Sequence, residues 1–191
     1  MRLFVAVDPP EEVRVDLATA LRERAPDLLT EAKPVRPEQF HLTLAFLGEV
    51  PEERLSAVSA TVERAAASTR PLRLGLAGSG AFGRDRAVVW VGLVGDTDGL
   101  QQLSGVLRDR LRAARVPLDT RPFRPHLTLA RGVDLRREPA AAALAALTSY
   151  EGPWWTAEGL TLVRSRLGAG PGGGARHEPL GAFPLGGDRP V

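Results

Sequence analysis

The sequence predicts an α+β protein made of two similar lobes, and three repeated features support this prediction. The tetrapeptide His-Leu-Thr-Leu occurs twice, beginning at His41 and, 85 residues later, at His126. Val5 lies 36 residues before His41, and Trp90 lies 36 residues before His126. A helical pattern and a further strand-like segment follow each copy. Because similarity at a fixed offset indicates duplicated units, we expect each lobe to run strand, helix, HLTL strand, helix, strand. A pseudo-twofold axis would relate the lobes and leave a cleft between them.

Apolar spacing and proline positions define the elements of the first half. An apolar, β-branched run ended by prolines is typical of a strand, and apolar residues three or four apart indicate one face of a helix. Proline and acidic residues are favoured in the first turn of a helix. These rules predict, in order, a strand at 3–7, a helix to about residue 25, the first HLTL strand closed by Gly48, a helix beginning near Pro51, and a strand at 72–80.

The second half follows the same rules. They predict a strand at 87–94, a helix capped within residues 96–98, the second HLTL strand, an alanine-rich helix from Glu138 to Tyr150, and strands at 155–164 and 178–185. Aspartate and threonine oxygens are good helix caps, and alanine has the highest helix propensity. Residues 168–174 contain five glycines, so we expect a mobile loop there.

Length and composition limit the domain number and the compartment. The 191 residues suit one domain, 1–191, with lobes at approximately 1–84 and 85–191 and with exchange of strands between lobes permitted by the repeat. The absence of cysteine excludes disulfides and thiolate metal sites. No apolar run approaches the roughly 20 residues of a transmembrane helix, and the N-terminus lacks the features of a signal peptide. We expect a cytoplasmic protein, monomeric, without a membrane or an obligatory protein partner.

The basic residues are almost all arginine. The formal net charge is +2, and Lys33 is the one lysine among 25 basic residues. Such a composition can reflect a GC-rich genome. It also suits phosphate binding, because the planar guanidinium donates two parallel hydrogen bonds to a phosphate. Both explanations stay open.

The two HLTL words carry the chemistry. Side chains alternate along a strand, so His41 and Thr43 share one face, as do His126 and Thr128 in the second copy. The leucines between them anchor the opposite face in the core. Imidazole titrates near neutrality, and two imidazoles facing one cleft form an acid–base pair. A single HLTL strand would more often be a half-buried strand with a hydrogen-bonded histidine, whereas two copies in matching contexts favour a catalytic site.

Other catalytic chemistries have weaker support. Neutral histidines can hold zinc, but neither word contains the Asp or Glu that would complete and orient such a site, so no metal and no cofactor are expected. The sequence has no G-x-S-x-G nucleophile motif. No G-K-[ST] follows the glycine-rich segment, which excludes a P-loop.

Arg131 marks the point where the repeat breaks. It lies at the offset of Phe46 in the first copy, and strict alternation places it on the leucine face. It can bind an anion beside the cleft or form a structural ion pair under the sheet, and the sequence leaves both open.

HLTLAFLGEV and RPFRPHLTLAR resemble the paired H-x-T-x signature of the two-histidine (2H) phosphoesterases. Within these the chain is most similar to the LigT-like RNA 2',3'-cyclic phosphodiesterases, formerly called 2'-5' RNA ligases. LFVAVDPP and LVRSRL…EPLGAFPL extend the resemblance over almost the whole chain. It implies a bilobal α+β fold with an active-site cleft between the lobes. RNA or nucleotide 2',3'-cyclic phosphates would be opened to 2'-phosphates, with reversible 2'-5' RNA ligation as a related reaction.

The resemblance also implies roles for individual residues. His41 would be the proton donor and His126 the proton acceptor, with Thr43 and Thr128 on the phosphate. Arg131 would add a substrate contact. His177 departs from relatives that carry a tyrosine after the glycine-rich segment, which leaves base contacts from that segment open.

Several further residues have both a binding and a structural interpretation. Phe82 and the pair Trp154-Trp155 could stack on bases or pack the lobes, and Arg121 and Arg124 could steer RNA phosphates or be solvated. Two competing functions are the hydrolysis of small cyclic-phosphate metabolites, such as ADP-ribose 1'',2''-cyclic phosphate, and nucleotide binding without turnover.

Overall fold

The two HLTL words occupy neighbouring strands at the centre of one sheet. A computed structural model describes residues 1–30, 32–170 and 174–186. Its strands are β1 (Arg2–Val7), β2 (Lys33–Pro34), β3 (Leu42–Glu49), β4 (Leu72–Phe82), β5 (Ala87–Gly95), β6 (Leu127–Val133), β7 (Glu151–Ala157), β8 (Gly159–Arg166) and β9 (Arg176–Pro184). The helices are α1 (Glu11–Arg24), α2 (Asp27–Thr30), α3 (Leu55–Ala67), α4 (Thr97–Ala113) and α5 (Glu138–Ala146), with 3-10 turns at Pro37–Gln39 and Glu52–Arg54. The predicted α+β class is confirmed.

The strand order is symmetric about the contact between β3 and β6. The antiparallel sheet runs β7-β4-β5-β6-β3-β1-β8-β9, and β2 pairs with β6 beside this path. Leu42 of β3 pairs with Leu127 of β6. These leucines hold the same place in the two HLTL words, so the approximate twofold axis passes between them. The pseudo-twofold arrangement expected from the repeat is therefore present in the sheet.

Strands are exchanged between the halves of the sheet. β4 belongs to the first half of the sequence, but it pairs with β5 and β7. β8 belongs to the second half, but it pairs with β1. Each half of the sheet is thus assembled from both halves of the chain. The sequence boundary near residue 84 marks the repeat unit and does not separate the two halves of the sheet.

The structure corrects three details of the predicted elements. The single strand expected at 155–164 is wrong, because β7 ends at Ala157 and β8 begins at Gly159. The chain turns there, and the two strands join opposite halves of the sheet. The helix expected to reach Tyr150 ends at Ala146, where a turn follows. Of the predicted mobile glycine loop, residues 171–173 lie outside the described part of the chain.

The third correction concerns the register of the repeat. Ala6 pairs with Thr43 and Trp90 pairs with Thr128, so the counterpart of Trp90 is Ala6. The match of Val5 with Trp90, which was inferred from the equal 36-residue intervals, is therefore wrong by one residue. Apolar runs permit such a shift, because neighbouring residues in them have similar hydrophobicity.

The two faces of the sheet have different surroundings. The helices pack on one face over the main core, which includes the leucines of both HLTL words, each 1% exposed or less. On the other face Phe4, Ala6 and Val163 form a small buried cluster. Burial of the leucines under the helices fixes the orientation of both central strands, because a slip of one residue would turn every side chain to the other face.

None of the helices in the described residues is long and apolar enough to cross a membrane.

Candidate active site

The histidines and threonines of both HLTL words lie on the face of the sheet opposite the helices. His41, Thr43, His126 and Thr128 are all half-buried, whereas the leucines between them are buried. The pairing of Leu42 with Leu127 sets the register between the central strands. Because the two strands are antiparallel, the residues that flank this leucine pair also lie opposite each other. His41 lies beside Thr128, and Thr43 lies beside His126. The structure therefore brings the four predicted side chains together.

Each imidazole is held by the backbone two residues before it. The Nδ1–H of His41 donates to the carbonyl of Gln39 over 2.7 Å, and the Nδ1–H of His126 donates to the carbonyl of Arg124 over 2.6 Å. A carbonyl only accepts, so it fixes the proton of the neutral ring on Nδ1. Nε2 of each ring is then left to accept or donate a proton in the cleft.

Aromatic rings support both histidines. Phe4 stacks on His41 with ring centroids 4.8 Å apart. Phe82 meets His126 edge-on at 5.0 Å, and Trp90 lies 6.3 Å from the same imidazole. These rings limit the movement of the imidazoles and exclude water from one side of each. Phe82, which the sequence left between base stacking and packing, contacts a site histidine.

Arg131 lies on the histidine face because β6 contains a bulge. Trp90 pairs with Thr128 and the preceding residue of β5 pairs with Ala130, so the register skips Leu129. Leu129 and Ala130 are consequently both buried, each 1% exposed, and Arg131 returns to the side of Thr128. A bulge of this kind re-aims a side chain. The prediction that Arg131 lies on the leucine face is wrong.

The same bulge occurs in β3. Ala6 pairs with Thr43 and the preceding residue of β1 pairs with Ala45. Phe46 is therefore turned to the cleft side, where it is 36% exposed and lies 5.9 Å from the ring of Phe4. The offset that aligned Arg131 with Phe46 thus matches two equivalent positions.

Arg131 has no acidic partner in the part of the chain that the structure describes. This removes the structural ion pair that the sequence left open. Its guanidinium is close enough to lower the pKa values of His41, His126 and His177. A cation placed in this way beside three imidazoles is suited to binding an anion.

Burial and charge give the two central histidines different surroundings. Burial is the main cause that lowers the pKa of His41, and the charges of Arg131 and His126 act in the same direction, while the Gln39 carbonyl and the Asp8 carboxylate oppose them. Burial also lowers the pKa of His126, and there Arg131 and Arg121 add to it, with only the Arg124 carbonyl opposing. Of these two histidines, His41 is therefore the one whose protonated form a carboxylate, that of Asp8, favours.

A third imidazole, His177, joins the site from β9. Its ring lies 5.3 Å from that of His41 and 5.0 Å from that of Phe4, edge-on to both. Burial, followed by the charges of His41, Arg131 and Arg36, lowers the pKa of His177 to about 4. The ring is thus neutral at neutral pH and presents an aromatic surface to the cleft.

The remaining sequence candidates lie differently. Trp155 is buried and Trp154 is 50% exposed, as alternation predicted, and Trp154 contacts Arg73. Arg121 is paired with Asp119. Arg124 lies over the ring of Phe82, 6.0 Å from its centroid, and so borders the site.

The described residues contain no group of three or more His, Cys, Asp or Glu side chains placed to hold a metal ion. Metal-independent chemistry stays a prediction from the sequence.

Comparison with known proteins decides the family. The profile of the 2'-5' RNA ligase superfamily matches residues 5–169. The chain belongs to this superfamily. An RNA 2',3'-cyclic phosphodiesterase of Thermus thermophilus is 40% identical over 174 residues, which are 87% of this chain and 83% of that protein. The predicted resemblance to LigT-like 2H phosphoesterases is confirmed.

Solved structures of the superfamily agree with this fold. The crystal structure of TT0787 of Thermus thermophilus superposes with a TM-score of 0.77 at 37% identity, covering 98% of this chain and 100% of that one. Escherichia coli LigT complexed with 3'-AMP gives a TM-score of 0.77 at 30% identity, covering 96% and 97% of the two chains.

The sequence reasoning missed Phe4 and left the place of His177 open. Phe4 lies in a run where every residue is apolar, so nothing marks it as facing the cleft. His177 carried a signal, because it is one of only three histidines in the sequence. Its place beside His41 depends on the pairing of β8 with β9 and with β1, which the sequence does not reveal.

Proposed function

We propose that the protein hydrolyses RNA or nucleotide 2',3'-cyclic phosphates to 2'-phosphates, with His126 as the base and His41 as the acid. One observation carries the proposal: two imidazoles, each held through Nδ1 by a backbone carbonyl, lie on one face of the central strands together with two threonine hydroxyls and the guanidinium of Arg131. This set can move two protons and stabilise a phosphoryl group that gains negative charge.

The charges around the histidines favour one assignment of roles. A general base must be neutral to accept a proton, and among the described residues the charges that shift the pKa of His126, those of Arg131 and Arg121, both favour its neutral form. A general acid must be protonated, and the Asp8 carboxylate favours the protonated form of His41. The anionic phosphate of the substrate will add to this effect when it binds. This difference in neighbouring charges supports His126 as the base and His41 as the acid, which is the assignment that the family resemblance implies.

The reaction then proceeds in one displacement at phosphorus. Nε2 of His126 takes a proton from a water molecule as its oxygen attacks the phosphorus atom. The bond from phosphorus to the 3' oxygen breaks, and Nε2–H of His41 gives its proton to that oxygen. Thr43, Thr128 and Arg131 would hold the non-bridging oxygens. The products are a 2'-phosphate and a free 3'-hydroxyl.

The test uses cytidine 2',3'-cyclic phosphate in excess EDTA, with the product identified by ³¹P NMR. We expect undiminished formation of the 2'-phosphate in the chelator. His41→Ala and His126→Ala should each lose about 10²–10⁴-fold in turnover, with an unchanged circular dichroism spectrum. Formation of the 3'-phosphate, or loss of activity in EDTA that zinc or manganese restores, would contradict the proposal.

A further inference from the structure

A cavity lies next to His41, the histidine of the first HLTL strand. It is a cavity of about 180 Å³ lined by Phe4, Asp8, Arg14, Glu38, His41 and His177, among others. The cavity borders the imidazole that we assign as the acid. The base of a nucleotide whose cyclic phosphate binds at His41 would be within reach of this cavity.

Aromatic rings form one wall of this cavity. Phe4 contacts both His41 and His177, at 4.8 Å and 5.0 Å between ring centroids. His177 stands edge-on to both rings. Such a wall suits a flat heteroaromatic group, because every nucleic-acid base has a π-face that can form stacking and edge contacts with aromatic side chains.

The polar groups of the cavity are divided into satisfied and free ones. Glu38 pairs with Arg36 at 3.1 Å, and Gln39 donates to the carbonyl of Ala175 at 2.8 Å. The hydroxyl of Thr161 donates to Oδ2 of Asp8 at 2.6 Å. That bond holds the carboxylate in place and leaves its Oδ1 available.

Arg14 is the free donor. Arg14 is half-buried as a residue, and its side chain forms neither an ion pair nor a hydrogen bond within the described chain. The guanidinium carries five N–H donors, and none of them is used by another group of the described chain. The cavity thus offers one fixed anionic acceptor, Asp8, and one uncommitted donor, Arg14.

We infer that this cavity takes the base of the nucleotide that carries the cyclic phosphate, and that Asp8 selects bases with an exocyclic amino group. The inference rests on the proposed function. Cytosine presents its amino group as a donor and ring N3 beside it as an acceptor, which suits Asp8 and Arg14 together. Adenine has the same pair of groups, and guanine also has an amino group.

Uracil is disfavoured by the same carboxylate. It has a carbonyl oxygen where cytosine has the amino group, and its ring N–H lies between two carbonyl oxygens. A carboxylate that approaches this N–H also meets those oxygens, and repulsion of the wrong partner is an effective source of specificity. Cytidine and uridine are otherwise the same size, so they form a matched pair of substrates.

The experiment compares kcat/KM for cytidine and uridine 2',3'-cyclic phosphates. A hydrogen bond to a charged group implies a preference for cytidine of about tenfold or more. In Asp8→Asn the ratio should fall towards one. The ratio is the decisive quantity, because Asp8 also acts on the pKa of His41 and that effect is common to both substrates. Asp98→Asn, which removes an exposed carboxylate in α4, should leave the ratio unchanged.

A measurement on the unaltered protein covers the case that Asp8→Asn does not fold. Calorimetry should show tighter binding of 2'-CMP than of 2'-UMP by a similar factor. Equal rates for the two substrates, equal product affinities, or a preference for uridine would overturn the inference and leave the proposed function standing. An absence of turnover of both substrates would instead contradict the proposed function.

Discussion

Replacing Arg131 by methionine should separate the chemistry of the cleft from the stability of the fold. The side chain is exposed and lacks an acidic partner among the described residues, so we expect the free energy of unfolding to change by no more than about 0.5 kcal/mol. If Arg131 holds a non-bridging oxygen as charge develops, its loss should lower kcat/KM by about 10²–10³-fold.

The same variant has a second signature in its pH dependence. The charge of Arg131 lowers the pKa values of both His41 and His126. Removal of that charge should raise both values, so both limbs of the kcat/KM profile should move to higher pH. A merely structural role would not produce this shift.

The assay combines thermal melting with pH–rate profiles of the wild type, Arg131→Met and Arg22→Met. Arg22 is an exposed arginine on α1 that contacts Thr19, and its replacement controls for the loss of one positive charge. Normal kinetics with a large fall in melting temperature for Arg131→Met would refute the reasoning, as would a loss of activity without any shift of the profile.

Two further predictions follow from the histidine environments. The kcat/KM profile of the wild type should be bell-shaped with its optimum below about pH 6.5, because the pKa values of His41 and His126 both lie below the ordinary histidine value; an optimum well above neutrality would count against the pair. The pKa of His177 in the folded protein is about 4, so between about pH 6.5 and 4 the unfolded chain binds more protons and stability should fall as the pH falls. Urea unfolding should show a weaker fall in His177→Gln, and an identical pH dependence in the variant would contradict the stated environment of this ring.

Local pattern was sufficient to predict the chemical face of each central strand. Leucines alternating with His and Thr have one stable orientation once the leucines are buried, and the identical words indicated the twofold relation. The register of the strand pairs, and which strands lie next to each other, could not be predicted from local pattern. The bulge that skips Leu129 depends on pairing with β5, and it reverses the predicted side of Arg131.

The positions of the outer strands also could not be predicted from the sequence. The exchange of β4 and β8 between the halves of the sheet is a long-range pairing that leaves no local trace. It is the pairing of β8 with β1 that supports β9 and brings His177 to Phe4. The sequence therefore did not reveal that Phe4 and His177 lie beside His41.

The measurement that tests the two-histidine account most directly uses a cyclic phosphate whose 3' oxygen is replaced by sulfur. A thiolate leaves without a proton, so the acid becomes dispensable while the base does not. We predict that His41→Ala recovers most of its lost rate on this substrate relative to wild type, and that His126→Ala stays inactive. Recovery by His126→Ala, or equal defects in both variants, would contradict the assignment of His126 as the base and His41 as the acid.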